Sequence, residues 1–200
     1  IFLLGLALPS FSQFTQADSL RGGYGETRNW WDLKHYDLSV EFDIEKKEIH
    51  GKNIITFDKL GNDLNELVIV STLQLDLQDP MILDSVSING KLVPNSKITK
   101  KGAAYLIRFE SHDGSEQKSN ELIAYFHGKP RVAQNPPWDG GIIWKKDTNG
   151  KPWVSVACQG LGASVWFPCK DSQYDEPDNG VTMHYTCPAD LVCVSNGLFL

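Results

Sequence analysis

The residues with the clearest chemical potential lie in one short stretch, VACQGLGASVWFPCKDSQYDEPD, which covers residues 156–178. Within it, Gln159 follows the strand-like run WVSVAC, and Gly160 and Gly162 permit a tight bend or the close approach of another chain. A neutral amide at such a bend can accept a hydrogen bond from a ligand's ammonium group without adding a buried charge. The stretch is therefore a candidate binding loop; the alternative is a glutamine that is bonded to its own loop.

No self-contained catalytic constellation accompanies this loop. The histidines are scattered among strand-like segments, so the sequence offers no HExxH motif or other close histidine pair for a metal. No serine has the flanking glycines of a nucleophile elbow, and the GLG at 160–162 lacks the third glycine of a dinucleotide loop. The acidic run YDEPDNG lacks the spacing of an EF-hand and has the composition of a turn. These residues are not expected to catalyse a reaction alone.

Strands are predicted to hold the loop in place. Residues 35–44, HYDLSVEFDI, alternate apolar and polar side chains with the period of two that marks a half-buried strand. The charged turn EKKE and the run IHGKNIITFD complete a hairpin. Asn89 and Gly90 favour a type I′ turn, because both central positions need a positive φ, so the segments around them should pair. Further strand-sized runs are ELVIVS, LQLDL, ILDSVSI, AAYLIRFE, NELIAYFHG, WVSVAC, VTMHYTC and LVCVSNG.

The segment before the candidate loop has a different composition. Residues 130–152 are dense in proline, glycine, asparagine and tryptophan, and they are predicted to form a long ordered loop that carries a hairpin. No sustained helical period precedes residue 130. Short strands separated by turn residues indicate an all-β domain, either an antiparallel sandwich or a curved multi-sheet fold.

Composition and charge limit the classes of partner. The 200 residues, 41% apolar and 22% charged, fit one globular domain or a domain with an appendage. A net charge of −6 argues against nucleic acid or an anionic membrane as partner, because phosphate binding needs a basic surface. The two basic runs, EKKE at 45–48 and KITKKG at 97–102, are predicted to be solvated turns.

The first residues predict export. IFLLGLALPSFSQ has the apolar run and small residues of a signal peptide, so residues 1–12 are interpreted as a truncated signal that is cleaved before Gln13. The run is too short to span a membrane, and the alternative is a buried N-terminal strand. Residues 13–32 are interpreted as a linker. The final GLFL is interpreted as a truncation within a β-element. The predicted location is periplasmic or extracellular.

Export would permit disulfides among the four cysteines, which are Cys158, Cys169, Cys187 and Cys193. None belongs to a CxxC pair, so zinc-ribbon and thioredoxin sites have no support. One bridge, two bridges or buried free thiols all fit the sequence. Four cysteines allow three pairings, and the sequence does not choose among them.

Several of these segments together resemble a known family. CQGLGASVWFPCKD followed by DEPD, the earlier YDLSVEFDIEKKEIHGKNIITF and the WDGG loop resemble the N-terminal domain of the gluzincin aminopeptidases, the zinc metallopeptidases that include aminopeptidase N and leukotriene-hydrolase-like enzymes. The resemblance runs from Leu33 to Leu200. The strand pair is weakly specific alone, whereas the spacing from the glutamine to PCKD is much more specific.

The resemblance implies an all-β, saddle-shaped domain over residues 33–200 that packs on a thermolysin-like catalytic domain of the same chain. It implies that zinc is the cofactor and is bound downstream, outside these residues, by an HExxH motif. There, zinc-activated water would attack the scissile carbonyl with a glutamate as general base. This part would supply scaffold and one contact to peptide substrates, with no catalytic residue or metal ligand of its own.

In the family, a Gln/Glu-x-Gln/Glu pair helps to hold the free amino end of the peptide. Alignment on PCKD places this pair on Ala157 and Gln159. Ala157 cannot hydrogen-bond through its side chain, so the resemblance assigns substrate binding to Gln159, together with Gly160. Three residues of the WDGG loop are weaker candidates for the same cleft: Trp138, Asp139 and Gly140.

The PCKD residues are expected to be loop architecture, with Asp171 bonded to nearby backbone amides and Cys169 packed. Two other functions compete with the peptidase interpretation. One is a stand-alone β-sandwich binding module without activity, because a fold alone does not fix function. The other is an adhesion or carbohydrate-binding domain that uses Trp138, Trp144 and Trp153 as a platform.

Overall fold

The structure, a computed structural model, describes residues 20–60, 68–112 and 119–199. Its regular structure is made of β-strands and two single-turn 3-10 helices, Asn95–Lys97 and Ala163–Val165. The strands are β1 Trp31–Asp43, β2 Glu48–Lys59, β3 Val68–Asp76, β4 Ile82–Ile88, β5 Lys91–Leu92, β6 Ile98–Lys101, β7 Ala104–His112, β8 Ser119–Gly128, β9 Gly141–Lys146, β10 Pro152–Ala157 and β11 Val181–Thr186. In these ranges no helix is long and apolar enough to cross a bilayer. The predicted signal peptide lies outside the described residues.

These strands form three sheets. A six-stranded sheet has the order β11-β1-β2-β8-β4-β5, a three-stranded sheet has the order β3-β7-β6, and β9 pairs with β10. The pairs are antiparallel except for β1 and β11, which run parallel at the edge of the large sheet. The predicted all-β, multi-sheet fold is confirmed.

One hydrophobic core joins the three sheets. Alternation along β1 buries Leu38 and Val40 and leaves Glu41 exposed, as a half-buried strand requires. The Phe57 ring of the large sheet meets the Phe109 ring of the three-stranded sheet, with centroids 6.0 Å apart. Ile142 of β9 and the loop residues Trp166 and Phe167 belong to the same core. The candidate loop is thus packed against the sheets by its own aromatic residues.

Both locally encoded turns are confirmed. The EKKE segment joins β1 to β2, with Asp43 opposite Glu48, and Lys47 has a positive φ of 55°. Asn89 and Gly90 have φ values of 49° and 75°, and they join β4 to β5. The required positive φ is therefore present at both central positions of the Asn-Gly turn.

Other segments differ from the prediction. ELVIVS and LQLDL contribute to one strand, β3, because β7 pairs with it from Val68 to Asp76. KITKKG contains a strand, β6, because Ile98–Lys101 pairs with β7. LVCVSNG is not a strand, since its backbone pairs with no strand in the described part of the chain.

The C-terminal end of the predicted linker is part of the fold. Trp31 is fully buried in the core, and its indole Nε1 donates to the carbonyl of Thr27 at 3.1 Å. Arg28 is also buried, and its guanidinium pairs with Asp76 at 2.6 Å. These contacts fix residues 27–32 against the domain.

Candidate functional site

Gln159 and the WDGG loop meet at one end of the β9–β10 hairpin. Gly141 is opposite Ala157, so Gly140, directly before β9, lies beside the residues that directly follow β10. A Cβ atom on Gly140 would lie 2.8 Å from Cδ1 of Leu161. Gly140 and Leu161 are therefore packed against each other, which brings the two loops together.

Gln159 and Gly160 form the exposed tip of a tight turn. The amides of Leu161 and Gly162 both donate to the carbonyl of Cys158, at 3.2 and 3.0 Å. Gly160 adopts a φ of +74°, in the left-handed region that glycine tolerates, while no atom lies within 4 Å of a Cβ built there. The Gln159 side chain is exposed and hydrogen-bonds to none of the residues that the structure describes. Its amide is free to bind a ligand.

The other side of the turn is fixed by a carboxylate. Ser164 Oγ donates to Asp171 Oδ2 at 2.5 Å, and Gln78 Nε2 donates to Ser164 Oγ at 2.8 Å and to the carbonyl of Leu161 at 2.6 Å. The carboxylate lies so close to Gly162 that a Cβ there would be 2.1 Å from Oδ2. The Asp171 side chain thus binds a hydroxyl group rather than the predicted backbone amides.

The PCKD segment is tied to the core sheets from several directions. Cys169 is buried and forms a pair of backbone hydrogen bonds with Asp76, at 2.8 and 3.1 Å. Asn53 Nδ2 donates to the carbonyl of Pro168 at 2.9 Å, and the Lys170 amide donates to the Tyr36 hydroxyl at 2.8 Å. These bonds confirm Cys169 as packed and hold the base of the candidate loop rigidly.

Lys170 carries the buried charge of the segment. Its Nζ pairs with Asp175, donates to the carbonyl of Trp31 at 2.5 Å and lies 4.1 Å from the centre of the Trp31 ring. Burial lowers the pKa of Lys170, although Asp175 opposes that shift. A second acidic residue of DEPD, Asp178, pairs with Lys34. Both carboxylates thus form ion pairs with lysines of this domain.

The WDGG loop has an exposed ring and an internally bonded carboxylate. Trp138 is 71% exposed. Asp139 accepts from the Gln134 amide and from Arg131, each at 2.5 Å, and these partners hold its pKa below the usual value. Asp139 therefore shapes its own loop, and Trp138 is the most exposed residue of WDGG.

The tryptophans of the hairpin do not form a shared platform. Trp144 is opposite Val154 and packs against the core, whereas Trp153, which directly precedes Val154 in β10, is 60% exposed. Successive residues of a strand point to opposite faces, so Trp144 and Trp153 lie on opposite sides of the hairpin. The prediction that Trp138, Trp144 and Trp153 form one platform is therefore wrong.

A cleft of about 440 Å³ opens beside the turn. Gly160, Leu161 and Asp171 line it, together with Arg21 and Gln173. The sequence alone did not identify Arg21 or Gln173 as lining residues. Their approach depends on a parallel bridge between residues 22 and 172, and no local pattern reveals such a long-range contact.

The described residues do not fit a zinc site. Across the three described ranges, no group of three or more His, Cys, Asp or Glu residues is arranged to hold a metal ion. His50 and His127 stack with ring centroids 6.1 Å apart, and His127 Nδ1 lies 2.6 Å from Oδ1 of Asp84. The described residues therefore provide no set of ligands for a zinc ion.

Comparisons with solved structures find a similar fold within longer chains. Leukotriene A4 hydrolase from Saccharomyces cerevisiae is 20% identical, with a TM-score of 0.57, over 80% of this chain and 24% of that one. The M1 zinc metallopeptidase from Deinococcus radiodurans is 17% identical, with a TM-score of 0.57, over 90% and 38% of the two chains. A mutant of the D. radiodurans enzyme, bound to a Tyr-Ser-Ala substrate, gives 20% identity and a TM-score of 0.58 over 87% and 36%. The chain thus spans well under half the length of these relatives.

No curated protein gives a significant match. A family model, however, matches residues 33–198, nearly the whole range over which the sequence resembles the gluzincin aminopeptidases. Its description is the peptidase M1 N-terminal domain. This chain therefore belongs to the peptidase M1 N-terminal domain family.

Proposed function

We propose that this chain is the N-terminal part of an exported zinc aminopeptidase, which removes amino acids from the N-termini of peptides, and that Gln159 contacts the free amino group of the substrate. Membership of the M1 family supports the activity. The observation that carries the assignment of Gln159 is its position: an exposed amide, bonded to none of the described residues, at the tip of a turn whose base is fixed by Gly162 and Asp171.

The chemistry of the amide suits this role. The Oε1 atom of Gln159 accepts a hydrogen bond from the ammonium group, and the side chain adds no charge that the free enzyme would have to solvate. A hydrogen bond to a charged partner contributes about 1.5–3 kcal/mol. Ala157 offers no second side-chain acceptor, so Gln159 alone supplies this contact from the loop. Zinc would polarise the scissile carbonyl and activate water when bound by residues outside the 200 of this sequence.

Export is the remaining element of the proposal. Residues 1–12 have the composition of a signal peptide. Sequencing the N-terminus of the mature protein tests this directly: cleavage should leave Gln13 first, and an uncleaved N-terminus contradicts export by this signal.

An aminopeptidase assay on the full-length protein tests the activity. We expect turnover of chromogenic aminoacyl anilides that a chelator abolishes and zinc restores, and no turnover by residues 13–200 alone. Gln159→Ala should lower kcat/KM by about 10- to 100-fold, as loss of one charged hydrogen bond implies.

Asn149→Ala is the matched control, because Asn149 is an exposed amide in the turn at the opposite end of the same hairpin. It should leave kcat/KM unchanged. Chelator-sensitive turnover by the isolated domain, or none by the full-length protein, contradicts the proposal.

A further inference from the structure

Two of the four cysteines lie close together outside the Gln159 loop. The Sγ atom of Cys193 is 3.0 Å from the Sγ atom of Cys187, and both side chains are partly buried. By contrast, the structure records no sulfur–sulfur contact between Cys158 and Cys169. All four thiols are free.

The backbone around the pair brings the two sulfurs together. Cys187 directly follows β11, and the Leu191 amide then donates to the carbonyl of Pro188 at 2.9 Å, which reverses the chain. Beyond Cys193, the Ser195 hydroxyl lies 3.3 Å from the Tyr185 hydroxyl, so the returning segment runs beside β11. Hydrogen bonds on both sides of the pair therefore define its geometry.

An ion pair with another segment holds the turn that follows β11. Lys151, in the turn between β9 and β10, pairs with Asp190 at 3.0 Å. The loop 187–193 is thus bound at its base and at its tip, and little movement is needed to change a sulfur contact into a bond.

We propose that Cys187 and Cys193 form a disulfide that closes the loop 187–193 when the protein meets an oxidant of the disulfide class, either a small-molecule disulfide or a disulfide-bearing oxidoreductase. The proposal does not depend on peptidase activity. Of the cysteine pairs that the sequence leaves open, it selects one and leaves Cys158 and Cys169 as free thiols.

The exchange proceeds in two balanced steps. The Cys187 thiol loses its proton to solvent, and the thiolate attacks the oxidant disulfide, forming a mixed disulfide and releasing one oxidant thiolate, which takes up a proton. Cys193 then loses its proton and attacks the Cys187 sulfur, which forms the protein disulfide and releases the second oxidant thiol. Two protein thiols are oxidised, and one oxidant disulfide is reduced to two thiols.

The order of attack follows from the environment of Cys193. Burial and the hydrogen bond with Cys187 raise the pKa of Cys193 to about 11. The Cys193 thiol donates its hydrogen bond to the Cys187 sulfur. Because this hydrogen bond would stabilise a thiolate on Cys187, we assign Cys187 as the first nucleophile and Cys193 as the resolving thiol.

Differential alkylation of the full-length protein tests the proposal. The protein is incubated with oxidised glutathione, denatured, alkylated and digested with trypsin, and its peptides are weighed. No Lys or Arg lies between Lys170 and residue 200, so Cys187 and Cys193 share the peptide that begins at Asp171, whereas Cys158 and Cys169 share the preceding peptide. The second peptide is an internal control.

We expect the peptide from Asp171 to be unalkylated and about 2 Da lighter than its reduced form, because two hydrogens are lost. After reduction it should take two adducts, while the control peptide takes two adducts in both samples. In Cys193→Ser, Cys187 should retain glutathione, because no resolving thiol is present. Circular dichroism checks that this variant is folded.

Three results would overturn the proposal. They are two alkylation adducts on the peptide from Asp171 after oxidation, two bound glutathiones instead of a bridge, or a bridge that links this peptide to Cys158 or Cys169.

Discussion

Replacement of Gly162 by alanine should disrupt the loop that presents Gln159. Gly162 has a φ of +80° and a ψ of 170°, a conformation that is essentially reserved for glycine. A Cβ there would also lie 2.1 Å from Oδ2 and 2.3 Å from Oδ1 of Asp171. Alanine must therefore strain the backbone and also displace the carboxylate from the Ser164 hydroxyl.

The two effects have separate magnitudes. A non-glycine residue in such a region costs about 1–3 kcal/mol. Loss of the 2.5 Å hydrogen bond from Ser164 to the Asp171 carboxylate costs about 1.5–3 kcal/mol. Gly162→Ala should thus lower the free energy of unfolding by about 2.5–6 kcal/mol. Gly160→Ala has a comparable φ but open space around the Cβ, so it should lose only the backbone part.

Urea unfolding, followed by tryptophan fluorescence, measures these differences. Because alanine at 162 acts partly through the carboxylate, Gly162→Ala and Asp171→Ala should be less than additive, by about 1.5–3 kcal/mol. Equal losses for Gly162→Ala and Gly160→Ala, together with additivity with Asp171→Ala, would refute the reasoning that the carboxylate fixes this turn.

Two further predictions concern buried charges and thiols. In the reduced protein, the rate of alkylation of Cys193 should rise with pH around a midpoint near 11. In Cys187→Ala this midpoint should move down toward 9, because the raised pKa of Cys193 depends partly on Cys187. An unchanged midpoint would contradict this dependence. Lys170→Met should lower the free energy of unfolding by about 3–5 kcal/mol, because it leaves the Asp175 carboxylate poorly compensated. Lys46→Met, which breaks an exposed ion pair, should have a much smaller effect in the same urea titration, and equal losses would contradict a structural role for the Lys170 cation.

The features that sequence predicted well are local ones. Alternation defines β1 and β2, and the turn at Asn89 and Gly90 follows from the φ values that two adjacent residues require. The parallel pairing of β11 with β1 brings together residues about 145 positions apart, such as Tyr36 and Val181, so no local pattern could reveal it. The sequence pattern predicts two strands where the structure has only β3, because the polar residues Ser71 and Thr72 interrupt an apolar run. In the structure, pairing with β7 continues through both residues.

In the candidate site, too, the sequence predicted the local features and missed the long-range contacts. Its glycines predicted a tight turn at Gln159, and the turn is present. The contact between Gly162 and Asp171 depends on how the chain returns beneath the turn, and spacing alone does not give that path. The cysteines are the clearest case, because sequence allowed three pairings and only the reversal after β11 brings Cys187 and Cys193 together.

The central claim is that the Gln159 amide recognises the amino group of a peptide. The most direct test is calorimetric binding of two ligands to full-length protein with and without the Gln159→Ala substitution: a short peptide, and its analogue that lacks only the α-amino group. The substitution should weaken binding of the peptide by about 10- to 100-fold and leave binding of the analogue nearly unchanged. Equal losses for both ligands, or no loss for either, would contradict this claim.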